Sequence, residues 1–154
     1  MHRDVKPENL MFKTDDELDS LRLVDFGLST STLSKTFVFP KCGTPGYVAP
    51  EVANYRDGEP YYNEICDMFS IGAIFYKLYI IKFHYRLTLK DLFPGSDYQE
   101  TLKLNKKCQF NLNVLTLYKT PKSAADLISR MLEVDPTRRI KALDALEHPF
   151  FLED

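Results

Sequence analysis

The sequence predicts a mainly α-helical domain with one small β-hairpin, on three observations. Two short apolar runs, NLMF (9–12) and LRLVDF (21–26), flank the acidic stretch KTDDELDS, the pattern of two strands with a solvated connection. ICDMFSIGAIFYKLYII (65–81) is apolar nearly all round, which marks a helix buried in a core or in lipid. TPKSAADLISRMLEV (120–134) is amphipathic, with Leu127, Ile128, Met131 and Leu132 at core spacing.

The other elements follow in order. Residues 27–50 are rich in Ser, Thr, Gly and Pro and predict a long irregular segment, of a length usually kept for function. Asn63 is the expected N-cap of the buried helix. That helix carries Asp67 and Lys77 and is short for a membrane span, so a protein core is its expected surrounding. DYQETLKLNKKC (97–108) predicts a surface helix anchored by Leu102 and Leu104. In the amphipathic helix Pro121 suits the first turn, and Ser123 with Asp126 has capping-box spacing. ALDALEH (142–148) predicts a last short helix stopped by Pro149.

Composition narrows the function classes. The 154 residues amount to one domain, and 44% are hydrophobic, enough for a core. A net charge of −2 gives no bulk attraction to nucleic acid or to an anionic membrane. Cys42, Cys66 and Cys108 are odd in number and widely spaced, which argues against disulfides or a zinc site and for a reducing, cytoplasmic setting. Cys66 is expected in the core, Cys42 and Cys108 have no assigned function, and His84 and His148 read as isolated structural histidines.

The chemistry-bearing side chains are concentrated at the start, in HRDVKPEN. Asp4 can accept a proton from a hydroxyl, Lys6 can neutralise phosphate charge, and Asn9 can offer an amide oxygen to a metal. Alone, the stretch also reads as a polar loop. The next motif, VDFGLS, puts Asp25 at the end of a strand, where a carboxylate suits Mg²⁺, with Gly27 allowing a sharp turn. His-Arg-Asp-x-x-x-x-Asn, then a hairpin, then Asp-Phe-Gly is the protein-kinase signature set. CGTPGYVAPE, Asp67 in DMFSIG, and Asp135-Pro136-x-x-Arg139 follow in the family's order.

The sequence therefore resembles the C-terminal lobe of a eukaryotic-type serine/threonine protein kinase, in the style of the calcium/calmodulin-dependent and calcium-dependent group, over residues 1–154 with an activation segment at 25–51. The resemblance implies ATP and Mg²⁺ as cofactors and a protein substrate with Ser or Thr. It makes Asp4 the base, Lys6 the phosphate-contacting lysine, and Thr44 their brace. Asn9 and Asp25 become the Mg²⁺ ligands, and Met11 lies under the adenine. His2 packs on Phe26, Asp67 ties the buried helix to the catalytic loop, and Glu51 pairs with Arg139. Calcium-linked regulation rests on the group resemblance only, because the chain shows no EF-hand loop or calmodulin-binding helix.

Four departures shape the expectations. No Gly-rich phosphate loop, Val-Ala-x-Lys strand or partner Glu occurs in these residues, so the family's N-terminal lobe is lacking and the isolated chain is expected to be inactive, a fragment or a pseudokinase-like binding module. Met1 stands where the family has an internal apolar residue, which suggests a longer parent protein. The two helices that precede His-Arg-Asp in the family are also lacking in these residues, and because one of them packs on the buried helix, part of the 65–81 helix is expected as an exposed apolar patch. Arg3 implies a phosphorylated partner in the activation segment, yet the usual acceptor position is Pro40, so activity is expected not to depend on it. Phe69 replaces a common Trp, and YIIKFHYRLTLKDLFPGSD (79–97) replaces a short turn, which puts substrate preference in doubt.

Overall fold

The computed structural model describes residues 1–15, 17–34, 36–83 and 91–152. His84 and residues 85–90 of the 79–97 replacement for the short turn lie outside them. Two strands, β1 (Leu10–Phe12) and β2 (Leu21–Leu23), pair antiparallel, with Leu10 opposite Leu23 and Phe12 opposite Leu21. Short 3-10 turns at Pro7–Asn9 and Leu18–Ser20 lead into the strands. Among the described residues six α-helices follow: α1 (Pro50–Ala53), α2 (Ile65–Phe83), α3 (Tyr98–Lys106), α4 (Asn113–Leu117), α5 (Lys122–Met131) and α6 (Ala142–Leu146).

α2 runs through the core. Cys66, Met68, Phe69, Ala73, Ile74, Tyr76 and Ile80 are buried along it, and it packs against α5, where Leu127, Ile128, Met131 and Leu132 are buried as their spacing predicts. Burying each of those α5 side chains contributes about 2 kcal/mol. Gly72 permits the crossing, because a Cβ there would stand 2.7 Å from Met131 Cβ. Phe69 is fully buried, with its ring near Phe93 and the Arg139 guanidinium, so it fits as a packing residue. Among the described side chains of α2, the exposed large apolar ones are Leu78 and Ile81. Among the described residues no helix is long and apolar enough to cross a membrane.

The helix ends differ in part from expectation. Asn63 Oδ1 accepts from Ile65 N–H at the start of α2, as a cap does. α3 begins with a reciprocal cap: Asp97 accepts from Glu100 N–H, and the Glu100 carboxylate accepts from Ser96 N–H. α5 has no side-chain cap and starts after Pro121. Asp126 turns instead to Arg130 and to His148, so His148 is not isolated; it is buried and bonded at 2.9 Å.

Candidate active site

The site forms where the chain's first residues cross β2 and the segment leading to α1. Asp67, in the first turn of α2, accepts from the backbone N–H groups of His2 (2.7 Å) and Arg3 (2.8 Å). An acid near a helix start is favoured by the helix dipole, and here it also fixes a loop backbone. Arg3 adopts a left-handed φ of 72°, a conformation that costs a non-glycine residue strain. The two Asp67 bonds hold the peptide groups on either side of His2. His2 Nε2 donates to Val24 carbonyl (3.0 Å), Nδ1 accepts from Asp4 N–H (3.3 Å), and its ring meets Phe26 edge-on at 5.0 Å. One imidazole thus joins the loop carrying Asp4 to the strand end carrying Asp25.

Thr44, 40 residues after Asp4, completes a triangle. Its hydroxyl donates to Asp4 Oδ1 at 2.7 Å and accepts from Lys6 Nζ at 2.9 Å. Lys6 Nζ also lies 2.9 Å from Asp4 Oδ2. Burial would raise the Asp4 carboxyl pKa, but the bonds from Thr44 and Lys6 outweigh it and hold the group below its ordinary value. Lys6 is raised, first by its hydrogen bond to Asp4. Both groups are therefore charged at neutral pH, in fixed orientations.

Asn9 and Asp25 are 16 positions apart in sequence, and the hairpin brings them to one end. Val24 N–H donates to Asn9 carbonyl at 2.9 Å, continuing the β1–β2 register by one pair. Asn9 is buried, and its NH₂ donates to Asp4 carbonyl (2.9 Å), which leaves Oδ1 as its uncommitted end. Asp25 is exposed at a left-handed φ of 60°, and its Oδ1 accepts from Gly27 N–H. The sharp turn is therefore made at Asp25 rather than at Gly27. One carboxylate and one amide oxygen are hard donors that suit Mg²⁺ shared with phosphate oxygens, so this pair fits the ion. Among the described residues no cluster of three or more His, Cys, Asp or Glu is placed to hold a metal. Met11 is 57% exposed beside this end of the hairpin.

The segment from Asp25 to Glu51 is tied down at several points. Arg3 donates to the carbonyls of Leu28 (2.6 Å) and Phe39 (2.8 Å) and to Tyr62 hydroxyl (3.0 Å), and its guanidinium lies 5.3 Å from the Phe37 ring centroid. Glu51 in α1 meets Arg139 through two hydrogen bonds, 2.6 and 3.0 Å. A cavity of about 190 Å³ opens beside Glu8, Gly46 and Tyr47, where Lys77 pairs with Asp91 at 2.8 Å.

Two residues lay outside the sequence reading. Tyr62 accepts from Arg3 and donates to Pro40 carbonyl, and no motif marked it. Asn105, on the helix read as a surface element, is fully buried and bonds Gly46 and Val48. Its spacing puts it on one helix face with Thr101 and Leu102, but nothing in that spacing marks its backbone partners.

A protein kinase domain profile matches residues 1–151. The chain is 36% identical to a probable myosin light chain kinase of Dictyostelium discoideum, over 100% of this chain and 47% of the relative. It is 35% identical to calcium/calmodulin-dependent protein kinase type I of Schizosaccharomyces pombe, over 99% of the chain and 43% of the relative. It is also 35% identical to calcium-dependent protein kinase 3 of Plasmodium berghei, over 97% and 25%. The chain spans less than half the length of these relatives. With the Asp4–Lys6–Thr44 triangle and the hairpin that brings Asn9 to Asp25 in place, this match over nearly its whole length makes the chain a member of the protein kinase domain family, on the serine/threonine side.

Proposed function

We propose that these residues form the C-terminal lobe (1–154, with the activation segment at 25–51) of a serine/threonine kinase that moves the γ-phosphate of ATP to protein hydroxyls. The observation that carries the reading is the Asp4–Lys6–Thr44 triangle, a carboxylate and an ammonium locked on one hydroxyl. Asp4 orients the substrate hydroxyl and takes its proton on a carboxylate oxygen. A carboxyl held below its usual value is a weak base, so orientation is its larger contribution and proton transfer comes late, as a loose phosphoryl-transfer transition state allows. Lys6 holds positive charge beside that oxygen, and Thr44 fixes both. Mg²⁺-ATP, when bound, supplies the phosphoryl group and neutralises its charge. Asn9 Oδ1 and the Asp25 carboxylate are the oxygens offered to the metal, and Met11 gives the adenine an apolar surface.

The 154 residues contain no Gly-rich phosphate loop. This favours a second reading for the chain by itself, a substrate-binding module without transfer activity. The three free cysteines support a reducing compartment, the cytoplasm. Relatives named for calcium support calcium-linked control of the whole protein. The test is phosphate transfer to a serine peptide with Mg²⁺-ATP, on the product of the whole reading frame and on the 154-residue chain. Transfer by the former, lost in Asp4→Asn, and peptide binding without transfer by the latter are expected. Transfer that persists in Asp4→Asn overturns the mechanism.

A further inference from the structure

Asn105 has no exposed surface and is among the largest fully buried side chains, the only polar one of that set among the described residues. It sits in the last turn of α3, whose outer positions Gln99, Glu100, Lys103 and Lys106 face solvent. Burying an amide without partners costs about 1–3 kcal/mol, so its bonds explain its presence. Its Oδ1 accepts from Gly46 N–H and its Nδ2 donates to Val48 carbonyl, both at 2.9 Å. Both partners are backbone groups of one short stretch. That stretch folds back on Thr44, whose carbonyl accepts from Tyr47 N–H (3.1 Å) and Val48 N–H (3.0 Å). Thr44 in turn contacts Asp4 and Lys6. A second tie runs parallel to the first: Asn54 Nδ2 donates to the carbonyl of Lys106, the residue after Asn105.

We propose that Asn105 is a positioning residue for the site. It holds the 46–48 turn from behind, so that Thr44 keeps its place between Asp4 and Lys6, and it makes α3 the element against which that turn is set. The proposal rests on the functional reading above for its consequence, weaker engagement of a serine substrate. The geometry supports it through a continuous set of bonds from α3 to Asp4, with no step longer than 3.1 Å.

The test uses the 154-residue chain, a fluorescent serine-containing peptide, and amide hydrogen exchange. Asn105→Ala removes both bonds, and Asn105→Ser is milder because it keeps a group that can donate or accept. Expected are faster exchange at Gly46, Tyr47 and Val48 with protection in α2 and α5 retained, and peptide affinity weakened about tenfold in Asn105→Ala, less in Asn105→Ser. Thr44→Val should weaken affinity similarly, and the double variant Thr44→Val/Asn105→Ala little further, since both act on one linkage. Wild-type affinity in Asn105→Ala, or full additivity with Thr44→Val, overturns the positioning role alone. Loss of the cooperative melt in both Asn105 variants also overturns it, by making Asn105 a residue of the whole fold. A wild-type chain that binds no serine peptide overturns the functional reading, and this consequence with it.

Discussion

Arg139 grips Glu51 across 88 positions of sequence through two parallel hydrogen bonds, with no Arg139 side-chain surface left to solvent. The remaining guanidinium donors are used as well, on the carbonyls of Glu133, Ile65 and Val134. The pair therefore joins α1, the start of α2 and the turn after α5 at one point. A charge this deep depends on its partner: removing one member costs about 3–5 kcal/mol, whereas replacing both with apolar groups of similar size is nearly neutral. Arg139→Ala should lower the melting temperature by about 10 °C, and Glu51→Met/Arg139→Met should recover much of the loss. Thermal melts of the three proteins check this; a drop below about 2 °C in Arg139→Ala contradicts it.

Gly43 precedes Thr44 at a φ of 97°, and a Cβ there would stand 2.8 Å from the Arg3 carbonyl. Gly43→Ala thus meets backbone strain and a collision with the carbonyl of a residue whose N–H is held by Asp67 and whose guanidinium lies over Phe37. The expected result is a loss of about 2 kcal/mol in urea unfolding and faster exchange at Tyr47 and Val48. Equal stability of Gly43→Ala and wild type would show that the segment shifts freely.

The core and hairpin were legible because periodicity and charge placed them: Leu127, Ile128, Met131 and Leu132 announced their face, and KTDDELDS announced a connection. The site was legible as motifs but not as geometry. Nothing in VDFG indicates that Asp25, rather than Gly27, takes the left-handed turn, because that depends on a backbone closing around Val24 and His2. Asn105 and Tyr62 were hidden for a related reason. Asn105 bonds backbone groups 57 and 59 positions away, and Tyr62 joins the Pro40 carbonyl to the Arg3 guanidinium, 22 and 59 positions away; backbone partners leave no residue-type signature, and one distant arginine leaves little more.

Arg3 bears on regulation. Its guanidinium takes the carbonyls of Leu28 and Phe39 and the hydroxyl of Tyr62, so the segment is fastened without a phosphate. Phe39 adjoins Pro40, the position where the group resemblance places a phosphorylated residue. Charge-assisted bonds of this kind are worth about 1.5–3 kcal/mol each. Phosphatase treatment of the whole protein should leave peptide phosphorylation unchanged, while Arg3→Met should loosen residues 28–39 in hydrogen exchange. Activity abolished by phosphatase would contradict this account.

The contact between α5 and the C-terminal turn predicts a pH dependence. Asp126 Oδ2 accepts from His148 Nε2 at 2.9 Å and from Arg130 Nε at 2.8 Å, while His148 Nδ1 accepts from Phe150 N–H. The hydrogen bond from His148 is the largest cause of a lowered Asp126 pKa; burial opposes it and Arg130 adds to it. A carboxyl whose pKa falls on folding releases its proton more readily in the folded state, so the unfolded chain binds more protons in that range. The stability it contributes is complete above the ordinary carboxylate value and is lost as pH falls through the lower folded value. Asp126→Asn should therefore be less stable than wild type at pH 7, and the two should converge in strong acid. Because Asp126 is half exposed, the difference at pH 7 should be small, below that of the buried Glu51–Arg139 pair. Melts of both proteins between pH 7 and pH 2 measure it. A gap that widens toward low pH would show that the His148 contact stabilises the protonated rather than the ionised carboxyl.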